Sequence, residues 1–159
     1  MQNYNDDEKR KPHPEHKPYG GGNRNEGNYA NNAETYDFSK NFDSNWITKE
    51  ATKGLVDYAE KAGKSMAINK LTNSKIRSIY GEIKRIQMGT FEKEKPSFYL
   101  LKPKVAYALG RDKDNRGLQL FKKIFDMAFE HVTDEKSYQN FCNFMEAILA
   151  YHKAYGGKD

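Results

Sequence analysis

LTNSKIRSIYGEIKRI, residues 71–86, decides the fold class. Ile76, Ile79, Tyr80, Ile83 and Ile86 recur at steps of three, one, three and three, which draws a single apolar stripe on an α-helix. Thr72 stands ahead of the stripe as an N-cap, its hydroxyl placed to accept from a first-turn amide. Leu71 and Ile76 take the two positions of a hydrophobic staple. At about 100° per residue, Arg77 and Lys84 share one flank of the stripe. Arg85 points away from the core, and Lys75 lies near the opposite flank. Gly81 weakens the helix slightly and permits a close approach.

The same period extends in both directions, and no strand alternation persists from Trp46 onward. A first helix is expected over residues 48–67, with Thr48 as its N-cap and Leu55, Ala59, Ala62 and Met66 inward. Residues 89–97 read as a polar loop ending at Pro96. A short third helix then starts with Pro103 in its first position and closes on Gly110. It offers Val105, Ala106 and Leu109 for packing. A fourth helix, residues 116–131, carries Leu118, Phe121, Phe125, Ala128 and Val132. Its second edge of Leu120, Ile124 and Met127 marks it as the central helix. Thr133-Asp134 opens a fifth with Tyr138, Phe141, Met145, Ile148, His152 and Tyr155 in register, and Gly156-Gly157 ends it.

The expectation is an all-α compact bundle of about five helices over residues 46–159, with mostly antiparallel neighbours. Residues 1–45 are rich in Asn, Gly, Pro and charge, with Pro12, Pro14, Pro18 and Gly20-Gly21-Gly22 in sequence. Such a stretch buries too little apolar surface to offset its ordering entropy, so it reads as a disordered low-complexity tail. Tyr36, Phe38 and Phe42 near its end are suited to docking on the domain or on a partner.

Charge is uneven. Residues 1–45 hold 6 Lys/Arg against 8 Asp/Glu, a net of −2, and residues 46–123 hold 18 against 8, a net of +10. Residues 124–159 hold 3 against 6, a net of −3. That asymmetry points to a nucleic acid or a membrane surface, against the ordinary alternative of a solvated helical surface. No run of about 18 apolar residues exists to span a membrane, and the first residues lack the apolar core of a secretory signal. The single cysteine, Cys142, sits among Phe141, Phe144 and Met145 and reads as a buried apolar thiol. A reducing, cytoplasmic setting is expected.

No catalytic grouping is expected, nor a metal or cofactor. Acidic residues are scattered or lie beside basic ones, as in Asp112-Lys113-Asp114. His13 and His16 have metal-like spacing but no cysteine nearby. His131, at a helix C-terminus, is explained by the helix dipole. His152 reads as a satisfied core ring. Gly20-Gly21-Gly22 precedes no strand–helix unit, so it is no phosphate loop.

The basic surface of the second and third helices is a different case. Phosphate backbones are held by long cations on a rigid face, and such contacts carry no sequence information. Arg77, Lys84, Arg85, Lys102, Lys104 and Arg111 are the candidates, with Lys75, Lys113 and Arg116 outside them. Tyr80, Tyr99 and Tyr107 lie among these cations, either as stacking platforms or as core and rim residues. The 89–97 loop is too long for the tight helix–turn–helix of a DNA regulator.

Two strings narrow the choice. Leu71-Thr72-x-Ser74-x-Ile76-Arg77-x-x-Tyr80 and Leu100-Leu101-Lys102-Pro103-Lys104-Val105-Ala106-Tyr107-Ala108-x-Gly110-Arg111, in this order, resemble the small subunit of the type III-A CRISPR–Cas interference (Csm) complex. The resemblance covers about residues 46–155 and leaves the tail out. It implies a helical bundle without a catalytic site. Several copies would line up beside the backbone subunits and the guide RNA–target RNA duplex, holding the target single strand without reading it. It also implies that target cleavage belongs to the backbone subunits, and DNA cleavage and cyclic oligoadenylate synthesis to the large subunit, in antiviral defence. Carried over by position, Arg77, Arg111, Lys102 and Lys104 are the first RNA-phosphate candidates, followed by Lys84 and Arg85. Each arginine has an alternative role, capping or pairing with carboxylates inside the bundle. The competing function is a helical scaffold subunit with no direct RNA contact.

Overall fold

The apolar stripes converge on one core. A computed structural model describes residues 35–157, and among these the chain forms six α-helices and no strand. They are α1 Asn45–Thr48, α2 Lys53–Ile68, α3 Asn73–Gln87, α4 Phe91–Arg111, α5 Arg116–Phe129 and α6 Glu135–Ala154. Residues 1–34, including the prolines and glycines of the expected tail with His13 and His16, lie outside the described residues.

The first expected helix is split. Thr48 ends α1 rather than opening a helix. Trp46 and Ile47 are buried, and Asn140 on α6 donates its side-chain amide to the carbonyls of Ile47 and Lys49, 3.0 Å in each case. Those are carbonyls that a one-turn helix leaves unpartnered. The chain restarts at Thr52, whose hydroxyl accepts from the Trp46 indole at 3.0 Å instead of capping α2. Ahead of α1, Tyr36, Phe38 and Phe42 pack against the core. The Tyr58 hydroxyl donates to the Phe38 carbonyl at 2.9 Å, and burial pushes its pKa up. Residues 35–45, given to the tail by composition, are therefore part of the folded body.

Leu55, Tyr58, Ala59, Ala62 and Met66 form the buried side of α2, and Ile76, Ile79, Ile83 and Ile86 that of α3. Thr72 occupies the N-cap position of α3, but its hydroxyl pairs with the Ser74 hydroxyl at 3.0 Å and caps no amide. Where α2 crosses α6, a Cβ on Gly63 would lie 2.5 Å from the His152 backbone nitrogen and 2.6 Å from the Ile148 carbonyl oxygen. Only glycine admits that approach.

The largest departure is α4. Residues 89–97 are not a loop: α4 runs unbroken for 21 residues with Pro96 and Pro103 inside it. Pro103 does not start a helix, and Gly110 is helical rather than a cap, with Asp112 as the C-cap residue. Phe91, Phe98, Leu101 and Val105 are all buried at helical spacing. Burying each contributes about 1.5–3 kcal/mol, which offsets about 3 kcal/mol for each interior proline. Phe98 stacks on Phe129 at 4.3 Å, and Phe91 on Tyr138 at 5.4 Å.

The centre of the bundle is α6 rather than the expected fourth helix. It packs on each of the other five, whereas α5 packs mainly on α2, α4 and α6. Adjacent pairs Phe141-Cys142, Phe144-Met145 and Ile148-Leu149 are buried, so α6 presents a wide apolar arc. Of the second edge of α5, Ile124 is fully buried but Leu120 and Met127 are only half-buried. Asp134 and Ser137 close a reciprocal cap at the start of α6, with the Ser137 amide donating to Asp134 at 2.8 Å. Its end turns at Gly156 with φ +88°.

Candidate nucleic-acid interface

Helices α3 and α4 form an antiparallel hairpin joined by only three residues, 88–90. Ion pairs step along it: Arg85–Glu94 at 3.1 Å near the turn, Lys104–Glu82 at 3.5 Å midway, and Lys75–Asp112 at the open end. A turn this short is compatible with a helix–turn–helix, contrary to the long loop expected, but the antiparallel register is not, because a helix–turn–helix crosses at about 90–120°.

Between the two helices lies a groove of about 810 Å³. Ser74, Lys75 and Ser78 line one wall, and Leu100, Pro103, Lys104, Tyr107 and Arg111 the other. Both strings of the sequence resemblance contribute to it. On the opposite flank of α3, a smaller recess of about 340 Å³ faces α6 and includes Arg77, Tyr80 and Glu146.

The six candidate cations do not form one cluster. Lys104 and Arg111 belong to the groove. Arg77 and Lys84 share the flank toward α6, as their seven-residue separation requires. Arg85 points outward near the hairpin turn, and Lys102 faces α5.

Partners separate them further. Lys84 binds Glu146 at 3.0 Å, which raises the lysine pKa. Arg85 is held between Glu82 and Glu94 at 2.9 and 3.1 Å, and its pKa rises for the same reason. Glu82 is correspondingly held below the usual carboxylate range by Arg85, with Lys104 adding to the effect. Lys102 pairs with Glu130, which raises its pKa, and its ammonium lies 5.3 Å from the centre of the Phe129 ring. Arg77 and Arg111 are exposed and have no carboxylate partner among the described residues. The alternative of pairing inside the bundle does not apply to them. The Arg111 guanidinium lies 5.9 Å from the centre of the Tyr107 ring.

Tyr107 and Tyr99 are 68% and 56% exposed, so they are surface rings rather than core. Tyr80 is half-buried. Sequence reasoning missed Ser78, Leu100 and Pro103 as groove residues and set Lys75 aside. The spacing of Ser74 and Ser78 was a usable signal: two small polar residues one turn apart leave a shallow strip on a helix.

Residues with latent reactivity lie elsewhere. Cys142 is buried, and burial pushes its thiol up to about 11. The His152 ring is buried with Nε2 2.7 Å from the Leu71 carbonyl oxygen, which makes Nε2 the donor. His131 stacks on Phe42 with ring centres 6.0 Å apart. No group of three or more His, Cys, Asp or Glu among the described residues has a metal-binding arrangement. None of the described helices is long and apolar enough to cross a membrane.

Comparison with known proteins adds two findings. The family described as Csm2 Type III-A matches residues 49–158. A curated relative, "CRISPR system Cms protein Csm2" of Streptococcus thermophilus, is 30% identical over 124 residues, covering 74% of this chain and 96% of the relative. No solved structure matches significantly. The matched region takes in α2 to α6 and both walls of the groove, and on that basis the chain belongs to the Csm2 family, the small subunits of type III-A CRISPR systems.

Proposed function

We propose that this chain is a non-catalytic RNA-binding subunit of a type III-A effector. In this reading it lines the guide–target RNA path and holds RNA phosphates without reading sequence. One observation carries it: Arg77 and Arg111, in the segment of net charge +10, present exposed guanidinium groups that no carboxylate of the described residues neutralises. Guanidinium forks match phosphate oxygens in geometry and charge. Lys104 stands in the same groove as Arg111, and Lys84 on the same flank as Arg77, each a second cation within one rigid helix pair. Target single-stranded RNA or the guide–target duplex is the nucleic-acid partner. The backbone and large subunits and further copies of the chain are its protein partners, in cytoplasmic antiviral defence.

A scaffold role without RNA contact is the second reading. It is favoured by Lys84, Arg85, Lys102 and Lys104, which are all bound to carboxylates of the chain itself. Charge reversal separates the two. In the assembled complex, R77E with R111E weakens target RNA binding while assembly persists. Unchanged RNA binding with intact assembly selects the scaffold.

A further inference from the structure

The α3–α4 groove is built from two kinds of surface. Pro103, Tyr107 and Arg111 follow one another at four-residue steps on α4, about 6 Å apart along the axis. They set an apolar ring, an exposed aromatic face and a free cation in a row. Ser74 and Ser78 repeat that spacing on the facing wall, and the Ser78 hydroxyl makes no hydrogen bond among the described residues. The volume of about 810 Å³ falls within the usual range of small-ligand clefts, about 300–1,000 Å³.

The charge of the lining selects the ligand. Of the three cations in the lining, Lys75 pairs with Asp112 and Lys104 with Glu82 just outside it, so the positive charge left over is that of Arg111. Arg111 has no anion of its own. An apolar peptide would leave that cation unanswered, whereas a nucleotide answers both surfaces, with a flat base for Tyr107 and a phosphate for Arg111.

We infer that this groove takes one unpaired nucleotide of a single-stranded RNA, its base on the Tyr107 and Pro103 faces and its phosphate on Arg111 and the Ser78 hydroxyl. The inference rests on the RNA-binding reading above and deepens it. A paired base inside an A-form duplex has both faces stacked and offers only backbone and groove edges. The groove therefore discriminates strand state rather than sequence, because every base has a stacking face.

The test uses the full chain and fluorescence anisotropy at low salt, with a labelled oligouridine alone and annealed to its complement. The wild type is expected to prefer the single strand. Tyr107→Ala, an exposed position, is expected to weaken the single strand about tenfold, leave the duplex within about twofold, and keep the wild-type melting temperature. Tyr107→Phe is expected to retain binding. Wild type without preference for the single strand overturns the inference, as does equal loss on both RNAs. If R77E weakens both RNAs and Tyr107→Ala changes neither, phosphate binding stands and the nucleotide groove falls. If neither substitution changes RNA binding, both readings fall. Loss of complex assembly in Tyr107→Ala with unchanged RNA binding assigns the groove to a protein partner and overturns the inference.

Discussion

Replacing Phe98 with alanine probes why α4 exists as one helix across two prolines. The Phe98 ring is fully buried, lies nearly parallel to Phe129 at 4.3 Å, and meets Phe91, Tyr138 and Phe141 edge-on. Its removal takes away the packing that holds the Pro96 turn against α5 and α6. A buried Phe→Ala substitution costs about 3–5 kcal/mol, and loss of the aromatic pairs places this one in the upper half of that range. A typical domain has about 5–15 kcal/mol of total stability, so the variant should stand near the edge of unfolding. Urea denaturation followed by far-ultraviolet circular dichroism measures the loss. Hydrogen exchange adds a local readout, in which the amides of residues 91–99 should open ahead of those in α5 and α6. A loss below about 1.5 kcal/mol, with α4 protected as in wild type, would refute the claim that burial of this ring overrides the prolines.

Three further outcomes follow from the same packing and charges. Gly63→Ala should cost about 1–3 kcal/mol, because the new methyl group meets α6 backbone atoms that cannot rotate away; an unchanged melting temperature contradicts the close crossing. Asp134, Asp112 and Glu82 are held below their ordinary values of 3.8, 3.8 and 4.5, chiefly by the Ser137 amide, Lys75 and Arg85 respectively. Their folded pKa values lie below the unfolded ones, so their stabilisation is complete above those ordinary values and is lost as pH falls through the lower folded values. The urea midpoint should drop across that acid window, and Asp134→Asn, which keeps a capping oxygen, should flatten the drop; an identical acid profile argues against it. Cys142 should ignore Ellman's reagent at pH 8 in the native protein and react at once in urea, since its buried thiol is pushed up to about 11. Rapid native labelling would show that the α6 core opens.

The parts of the fold that read directly from sequence are those where one helix supplies its own signal. The Ile76–Ile86 stripe, the Leu118–Ala128 part of the α5 stripe and the Asp134 start of α6 needed nothing beyond spacing and a cap, whereas Val132, expected to extend the α5 stripe, lies past the helix end. The missed parts depend on distant partners. The α1–α2 break is held by Asn140, more than ninety residues away. Helix α4 looks broken because Pro96 and Pro103 are local breakers and Glu92–Lys95 is polar. Its buried phenylalanines stand seven residues apart, and their energy comes from Phe129 and Tyr138. Reading 89–97 as a loop also hid the groove, which exists only because α4 runs beside α3. The cations were legible as residue types, but their neutralisation was not. Glu146 for Lys84 and Glu130 for Lys102 come from other helices. Arg77 and Arg111, for which pairing inside the bundle was an open alternative, are the two candidates without a carboxylate among the described residues.

The central claim is that Arg77 and Arg111 hold RNA phosphates, and counterion release measures it most directly. Each phosphate neutralised on a single strand contributes about −0.7 to the slope of log K against log salt. For the assembled complex binding its target strand, replacing both arginines with glutamine should make that slope shallower by about 1.4 per subunit in contact and weaken binding at low salt. A slope and affinity equal to wild type, with the complex intact, would contradict the account and leave the chain a scaffold.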